Sequence, residues 1–218
     1  MLLLAMDTSS SVVAAAVHDG GSVLAAEQVA GAQAHGEQLA PLLQRVLAAA
    51  GVAPGELTHV GVGVGPGPFT GLRVGIVTAR VMADALGIPV HGVCSLDALA
   101  HAASVPGSAY AVATDARRRE VYWRRYDAAG EPTGEPGVAR AADLPADVLA
   151  GPVVGPGPLL YPDAFADPRP PVELDPGALG DLLARRIRAG AGLLDPEPLY
   201  LRRPDAVESA GRKRVTQL

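Results

Sequence analysis

A chain of 218 residues, at roughly 150 residues per domain, accommodates one large domain or two small lobes, and 49% hydrophobic against 19% charged residues excludes a disordered chain. A formal charge of −5, from 18 Lys+Arg and 23 Asp+Glu, lacks the basic footprint of an autonomous nucleic-acid binder, so any RNA contact is expected to be local or shared. The single cysteine, Cys94, allows no internal disulfide, and neither a basic leader ahead of the Met1–Met6 run nor an unbroken membrane-length segment is present, so a cytoplasmic protein is expected.

Taken in order, Leu2 to Met6, Val12 to Val17 and Ser22 to Val29 predict three strands, the last two joined through Asp19-Gly20-Gly21. Between His35 and Ala50 the residues Leu39, Leu42, Leu43, Val46, Leu47 and Ala50 recur at helical spacing, and Gly51 closes the pattern. A strand from His59 to Gly65, a tight loop from Pro66 to Gly71, a helix from Leu72 to Leu86 ended by Gly87, a strand from Pro89 to Cys94 and a helix from Leu96 to Ala103 follow. The turn-rich Ser104 to Ser108 then restarts a similar order, with strands at Ala109 to Thr114 and Glu120 to Tyr126 and a helix from Leu179 to Ala189. The Pro/Gly-rich stretches Gly130 to Gly137 and Gly151 to Pro158 and the tail from Arg202 yield no element. The expected organisation is α/β in two lobes, residues 1–104 and 105–218, a duplication with no residue-level repeat.

The run from Gly63 to Arg73, GVGPGPFTGLR, places a glycine-rich loop between a strand and a helix. Such a loop either holds an anion at the helix start or merely permits a sharp turn and close packing; its spacing is neither the Rossmann nor the Walker pattern. Thr70 is the expected helix cap. Within the helix, Arg73, Arg80 and Asp84 form a narrow polar stripe. Leu72, Ile76, Ala79 and Ala83 line one side, and Val74, Val77, Val81 and Ala85 another. A helix this apolar is either wholly internal or docks its second face on another subunit. Asp7-Thr8-Ser9 and Asp115-Ala116-Arg117 each follow a strand; the two acids either hold Mg²⁺ together or cap their turns. The arginines at 117–119 and 124–125, like Arg212-Lys213-Arg214 in the tail, fit a phosphate-binding patch or a solvated face. The five histidines are scattered without metal-ligand spacing, and no Gly-x-Ser-x-Gly is present.

Together, Asp7-Thr8-Ser9, the run Gly65 to Gly75 (GPGPFTGLRVG), the run Asp115 to Tyr122 (DARRREVY) and Leu199-Tyr200-Leu201-Arg202 resemble the TsaB (YeaZ) family over nearly the whole chain, excepting about residues 130 to 171. The resemblance implies a two-lobed actin/Hsp70/sugar-kinase-like (ribonuclease-H-like) α/β fold with mixed sheets and flanking helices. It implies a non-catalytic scaffold of the complex that adds a threonylcarbamoyl group to adenosine 37 of tRNAs reading ANN codons. The implied partners are a TsaD-like catalytic paralogue, a TsaE-like ATPase, a second copy as homodimer, and tRNA only through the complex, with no membrane. The first two helices would supply the interface, through Leu39, Leu42, Leu43, Val46, Leu72, Arg73, Ile76, Val77 and Arg80, and Val77→Glu or Leu43→Glu would abolish assembly without unfolding the chain. Asp7, Thr8, Ser9, Gly65, Gly67 and Asp115 would form a degenerate phosphate loop. No cofactor of its own is implied, with room for ATP or ADP at interfaces of the complex. Ser95 and Leu99 stand where the paralogue carries two metal-binding histidines. The rival expectation is an independent phosphotransferase binding Mg-ATP between the lobes, with Asp7 and Asp115 organising the metal.

Overall fold

The computed structural model describes residues 1–30, 35–103, 105 and 107–202. Arg212-Lys213-Arg214 and the rest of the tail beyond Arg202 lie outside them, as do Ser104 and Pro106 of the turn-rich break.

Alternation along the first strand sets the layering. In β1 (Leu3–Asp7), Leu4 and Met6 enter one core while Leu3 and Ala5 enter another, as a strand covered on both faces requires. β1 pairs antiparallel with β2 (Val12–His18), and β2 with β3 (Val23–Ala30). β4 (His59–Gly63) adds parallel to β1, and β5 (Val90–Val93) parallel to β4, giving the order β3-β2-β1-β4-β5. On the Leu4/Met6 face lie α1 (His35–Ala50) and α2 (Phe69–Leu86). The helix α2 ends on Gly87 in the left-handed region at φ 66, its N–H returned to Ala83 and Asp84, the geometry that glycine adopts without steric cost. It starts earlier than the sequence pattern suggests. The Leu72 N–H already bonds the Pro68 carbonyl at 3.0 Å, so Pro68 holds the cap position with no side-chain bond and Thr70 lies inside the first turn, not at the cap.

After α3 (Ser95–Ala102) the second sheet forms from β6 (Tyr110–Asp115), β7 (Glu120–Tyr126), β8 (Gly137–Arg140), β9 (Pro152–Val154) and β10 (Asp167–Arg169). Its order is β10-β9-β6-β7-β8, antiparallel from β6 through β8 and parallel from β6 through β10. Read outward from β6, this repeats the first sheet strand for strand in order and sense, so a duplication invisible in residues is plain in topology. The Pro/Gly-rich middle supplies β8, β9, β10 and two short helices, α4 (Ala146–Ala150) and α5 (Gly157–Leu160).

The helix α6 (Pro176–Ala189), capped by the Asp175 carboxylate on Gly177 N–H (2.7 Å) and Ala178 N–H (3.2 Å), belongs by sequence to the second half but packs on β1, β2, β3 and α3. Leu179, Leu182, Leu183 and Ala184 join Leu3, Ala5 and Ala14 from the first sheet and Val112, Tyr126 and Val154 from the second in one core between the sheets. In that region Asp97 of α3, 5% exposed, receives Arg124 (2.9 Å) and the Tyr126 hydroxyl (2.7 Å) on one oxygen and Arg186 (2.8 Å) on the other. A buried carboxylate is tolerated when its oxygens are so paired, and here the partners come from β7 and α6. The chain then returns to the first lobe: Gly92 and Leu194 exchange two backbone hydrogen bonds of 2.8 Å, and the Leu199 N–H bonds the Val64 carbonyl at 2.9 Å.

Candidate functional site

The turn after β1 is drawn into the interior by the glycine-rich segment. Asp7 is 1% exposed; one carboxylate oxygen accepts the Ser9 N–H (2.6 Å) and the other the Ser95 hydroxyl (2.5 Å). Burial pushes its carboxyl above the ordinary range, against the opposing pull of the bonds from Ser95 and Ser9. Ser95 Oγ also accepts the Gly65 N–H at 3.1 Å. The Thr8 hydroxyl donates to the Gly71 carbonyl (2.7 Å) and accepts the Gly75 N–H (3.0 Å), fastening the first turn of α2 to the end of β1. This contact explains the glycines. A Cβ would stand 2.2 Å from the Ser9 carbonyl oxygen at Gly67, 2.5 Å from the Thr8 carbonyl oxygen at Gly71, and 1.7 Å from an Asp7 carboxylate oxygen at Gly63. The backbone-packing role of the loop therefore accounts for Thr8, Gly65 and Gly67, all buried, and for Asp7.

A cleft of about 440 Å³ opens between the lobes, with Ser9, Ser10, Ser11, His35 and Ser95 on one side and Thr114, Asp115 and Arg117 on the other. Leu96, Leu99, Leu159, Leu160 and Val172 give it apolar walls. Asp115 lies in this cleft, its carboxylate accepting the Arg117 N–H at 2.8 Å with the guanidinium 3.5 Å away. Asp7 does not line it, and both its oxygens are turned to Ser9 and Ser95. Ser95 is engaged by Asp7, and Leu99 forms part of the cleft's apolar wall. Among the described residues no group of three or more His, Cys, Asp or Glu is placed to hold a metal. Burial, then Asp97, pushes the Cys94 thiol up to about 12, so it is protonated and inert.

The helix faces divide differently from the sequence expectation. Leu39, Leu42, Leu43, Val46, Leu72 and Ile76 are all buried in the core under the first sheet; their stripe is the inward face, and they offer nothing to a partner. On the outer face of α2 Val77 (56%) and Val81 (62%) are exposed, beside exposed Arg73, Arg80 and Asp84. At the start of α2 the Arg73 guanidinium sits 3.9 Å over the Phe69 ring, Phe69 stacks on Tyr200 at 5.0 Å, and Arg73 Nε donates to the Tyr200 hydroxyl at 2.9 Å. Two residues on, Arg202 donates to the Ala116 carbonyl (2.8 Å) and pairs with Glu120. A C-terminal strap thus runs from the start of α2 to the β6–β7 turn. Sequence reasoning missed these pairings and those of Asp97; the one available signal was a lone acid in the apolar run SLDALAHA.

Two sheets of the same 3-2-1-4-5 order facing each other across a cleft, with helices outside and between, define a two-lobed protein of the actin/Hsp70/sugar-kinase-like class. Comparison with known proteins narrows this. A family model described as TsaD, tRNA N6-adenosine threonylcarbamoyltransferase, matches residues 27–177. The solved structure of YeaZ from Pseudomonas aeruginosa superposes with a TM-score of 0.75 at 29% identity, covering 92% of this chain and 99% of that one. An uncharacterized protein of Mycobacterium tuberculosis is 41% identical over 217 residues, 94% of this chain and 93% of its own. The tRNA threonylcarbamoyladenosine biosynthesis protein TsaB of Escherichia coli is 34% identical over 128 residues, 58% of this chain and about half (55%) of its own length. The chain belongs to the TsaB (YeaZ) family.

Proposed function

We propose that this protein is the non-catalytic scaffold of a cytoplasmic complex that adds a threonylcarbamoyl group to adenosine 37 of tRNAs reading ANN codons, binding a TsaD-like catalytic paralogue through α2. The observation that carries the reading is the outer face of α2, where Val77 and Val81 stand exposed beside Arg73, Arg80 and Asp84 although the other face is already fully used by the core. Covering a valine is favourable by up to about 1.5–3 kcal/mol, and the flanking arginines confer orientation. The same face suits a second copy, so a homodimer and the heteromer compete for it. A TsaE-like ATPase completes the proposed assembly, tRNA is met through the complex, and any ATP or ADP belongs at its interfaces.

The independent phosphotransferase has less support, because both Asp7 oxygens are engaged inside the fold by Ser9 and Ser95. Light-scattering chromatography of the chain alone and mixed with its large paralogue tests the proposal. A stable heteromeric peak is expected, lost in Val77→Glu while the melting curve stays within about 0.5 kcal/mol of wild type, as for other surface changes. Wild-type assembly in that variant refutes the interface. Leu43→Glu is unsuitable for the purpose, since it would bury a charge in the core and unfold the lobe.

A further inference from the structure

The hairpin between β6 and β7 turns through Arg117, Arg118 and Arg119, whose φ angles are 61°, 54° and 64°. Three successive residues in the left-handed region are exceptional. Glycine or asparagine enters it readily and arginine does not. Backbone strain of this kind persists only where its surroundings impose it, and it concentrates at functional sites. The surroundings here are specific. Ala116 N–H bonds the Glu120 carbonyl (3.0 Å), Glu120 N–H the Arg117 carbonyl (2.9 Å), and Arg117 N–H the Asp115 carboxylate (2.8 Å), while Arg202 of the strap grips the Ala116 carbonyl.

Charge follows the same logic. All three arginines are exposed, and the Arg117 side chain is 72% exposed. Two acids beside the turn are answered within the fold, Glu120 by Arg202 and Asp115 by Arg117. Exposed Arg140 on β8 pairs in register with Glu120 and adds to the same end of the sheet. A fixed tip of net positive charge thus projects from a chain whose total is −5.

The geometry points to this arginine turn as a contact for the phosphate backbone of RNA, an inference that rests on the tRNA-modifying role proposed above. Guanidinium groups match phosphate oxygens in planar, two-pronged fashion, and a turn already locked in shape loses little freedom on binding. The turn is exposed at Arg118 and Arg119 and borders the cleft through Arg117, an open arrangement that suits a polyanion laid across it; a small anion calls for enclosing donors. Because only phosphates are touched, the contact positions RNA without reading sequence.

The test uses the full chain, alone and mixed with its large paralogue, and a fluorescent tRNA titrated by anisotropy over a salt series. Wild type is compared with the double variant Arg117→Asn, Arg119→Asn, which keeps residues that accept the left-handed backbone, and with Arg188→Gln on α6 as a remote control. The double variant is expected to melt no lower than wild type, to bind every RNA sequence more weakly, and to lower the slope of log K against log salt by about 1 for each arginine removed. An unchanged slope, an equal fall in the control, or a wild type that binds RNA in neither setting overturns the inference. Displacement of the RNA by ATP or inorganic phosphate at concentrations near the protein's own also overturns it, in favour of a small-anion site. Assembly, read separately by light scattering, decides the scaffold reading independently of these outcomes.

Discussion

Replacing Asp97 by alanine removes the carboxylate that ties α3 to β7 and α6. Arg124 and Arg186, whose side chains are 14% and 12% exposed, then face each other's charge with no acceptor between them, and the Tyr126 hydroxyl loses its partner as well. Removing one member of a buried ion cluster destabilises by about 3–5 kcal/mol, because the remaining charge stays desolvated and unpaired. At roughly 2–4 °C per kcal/mol for a chain of this size, the melting midpoint should fall by about 6–20 °C. Two probes read the event, far-UV circular dichroism for the whole chain and the fluorescence of Trp123, the only tryptophan, for the second sheet. In the variant the two transitions are expected to separate, since the lost contacts join elements of both halves. The pair Asp97→Ala, Arg186→Met should cost less than the sum of its single changes, as coupled neighbours do. A loss below about 1 kcal/mol, or strict additivity, refutes the view that this cluster locks the lobes together.

Gly63→Ala would drive a methyl into the Asp7 carboxylate and is expected to cost about 3 kcal/mol, the upper end for overpacking; a urea midpoint equal to wild type contradicts the packing role of the loop. Cys94 should react with a disulfide reagent only after denaturation, and rapid labelling of the native chain would show that the thiol is not sealed in the core. His59 and His91 stack at 5.6 Å, and burial holds both below the ordinary value of 6.5, helped by the amino terminus for His59 and by His59 for His91. His91 Nε2 is buried without a partner among the described residues. A histidine depressed in the fold binds fewer protons folded than unfolded, so its stabilisation is present above about 6.5 and is lost as pH falls through that value toward the folded one. Asp7 acts with the opposite sign, so the measurement is a difference: between pH 7 and pH 5 the midpoint of wild type should fall more than that of His59→Gln, His91→Gln, and parallel slopes dismiss the assignment.

The first half of the chain was legible because its elements are long and their patterns clean. Helix α1 matches its predicted limits, and β1 to β5 fall within a residue or two of theirs. From 130 to 171 the elements are three to five residues long, too short for a period of 2 or 3.6 to show. The two apolar faces of α2 were readable from spacing, but which one stays outside was not, since Leu72 and Val77 are equally hydrophobic in kind and only the sheet beneath decides between them. Asp7 was singled out for the right reason, an acid at a strand end, yet the decisive partner, Ser95, lies 88 residues away. The contact of Asp97 with Arg186 depends on the packing of α6 between the sheets, and that of Arg73 with Tyr200 on the return of the chain to the first lobe after α6; no local pattern encodes either.

That return has a consequence for how the protein is made. One face of the first sheet is covered by α1 and α2, which emerge within the first 86 residues, whereas the other face waits for α6, complete only at Ala189. Throughout synthesis of the intervening hundred or so residues, Leu3, Ala5 and Ala14 have no Leu179, Leu182 or Leu183 to meet. A nascent chain in this condition presents one naked, aggregation-prone sheet face to the cell, and the lobe closes only once α6 has emerged. Shortening the chain ahead of α6 should therefore yield insoluble protein, even though every strand of both sheets is still present.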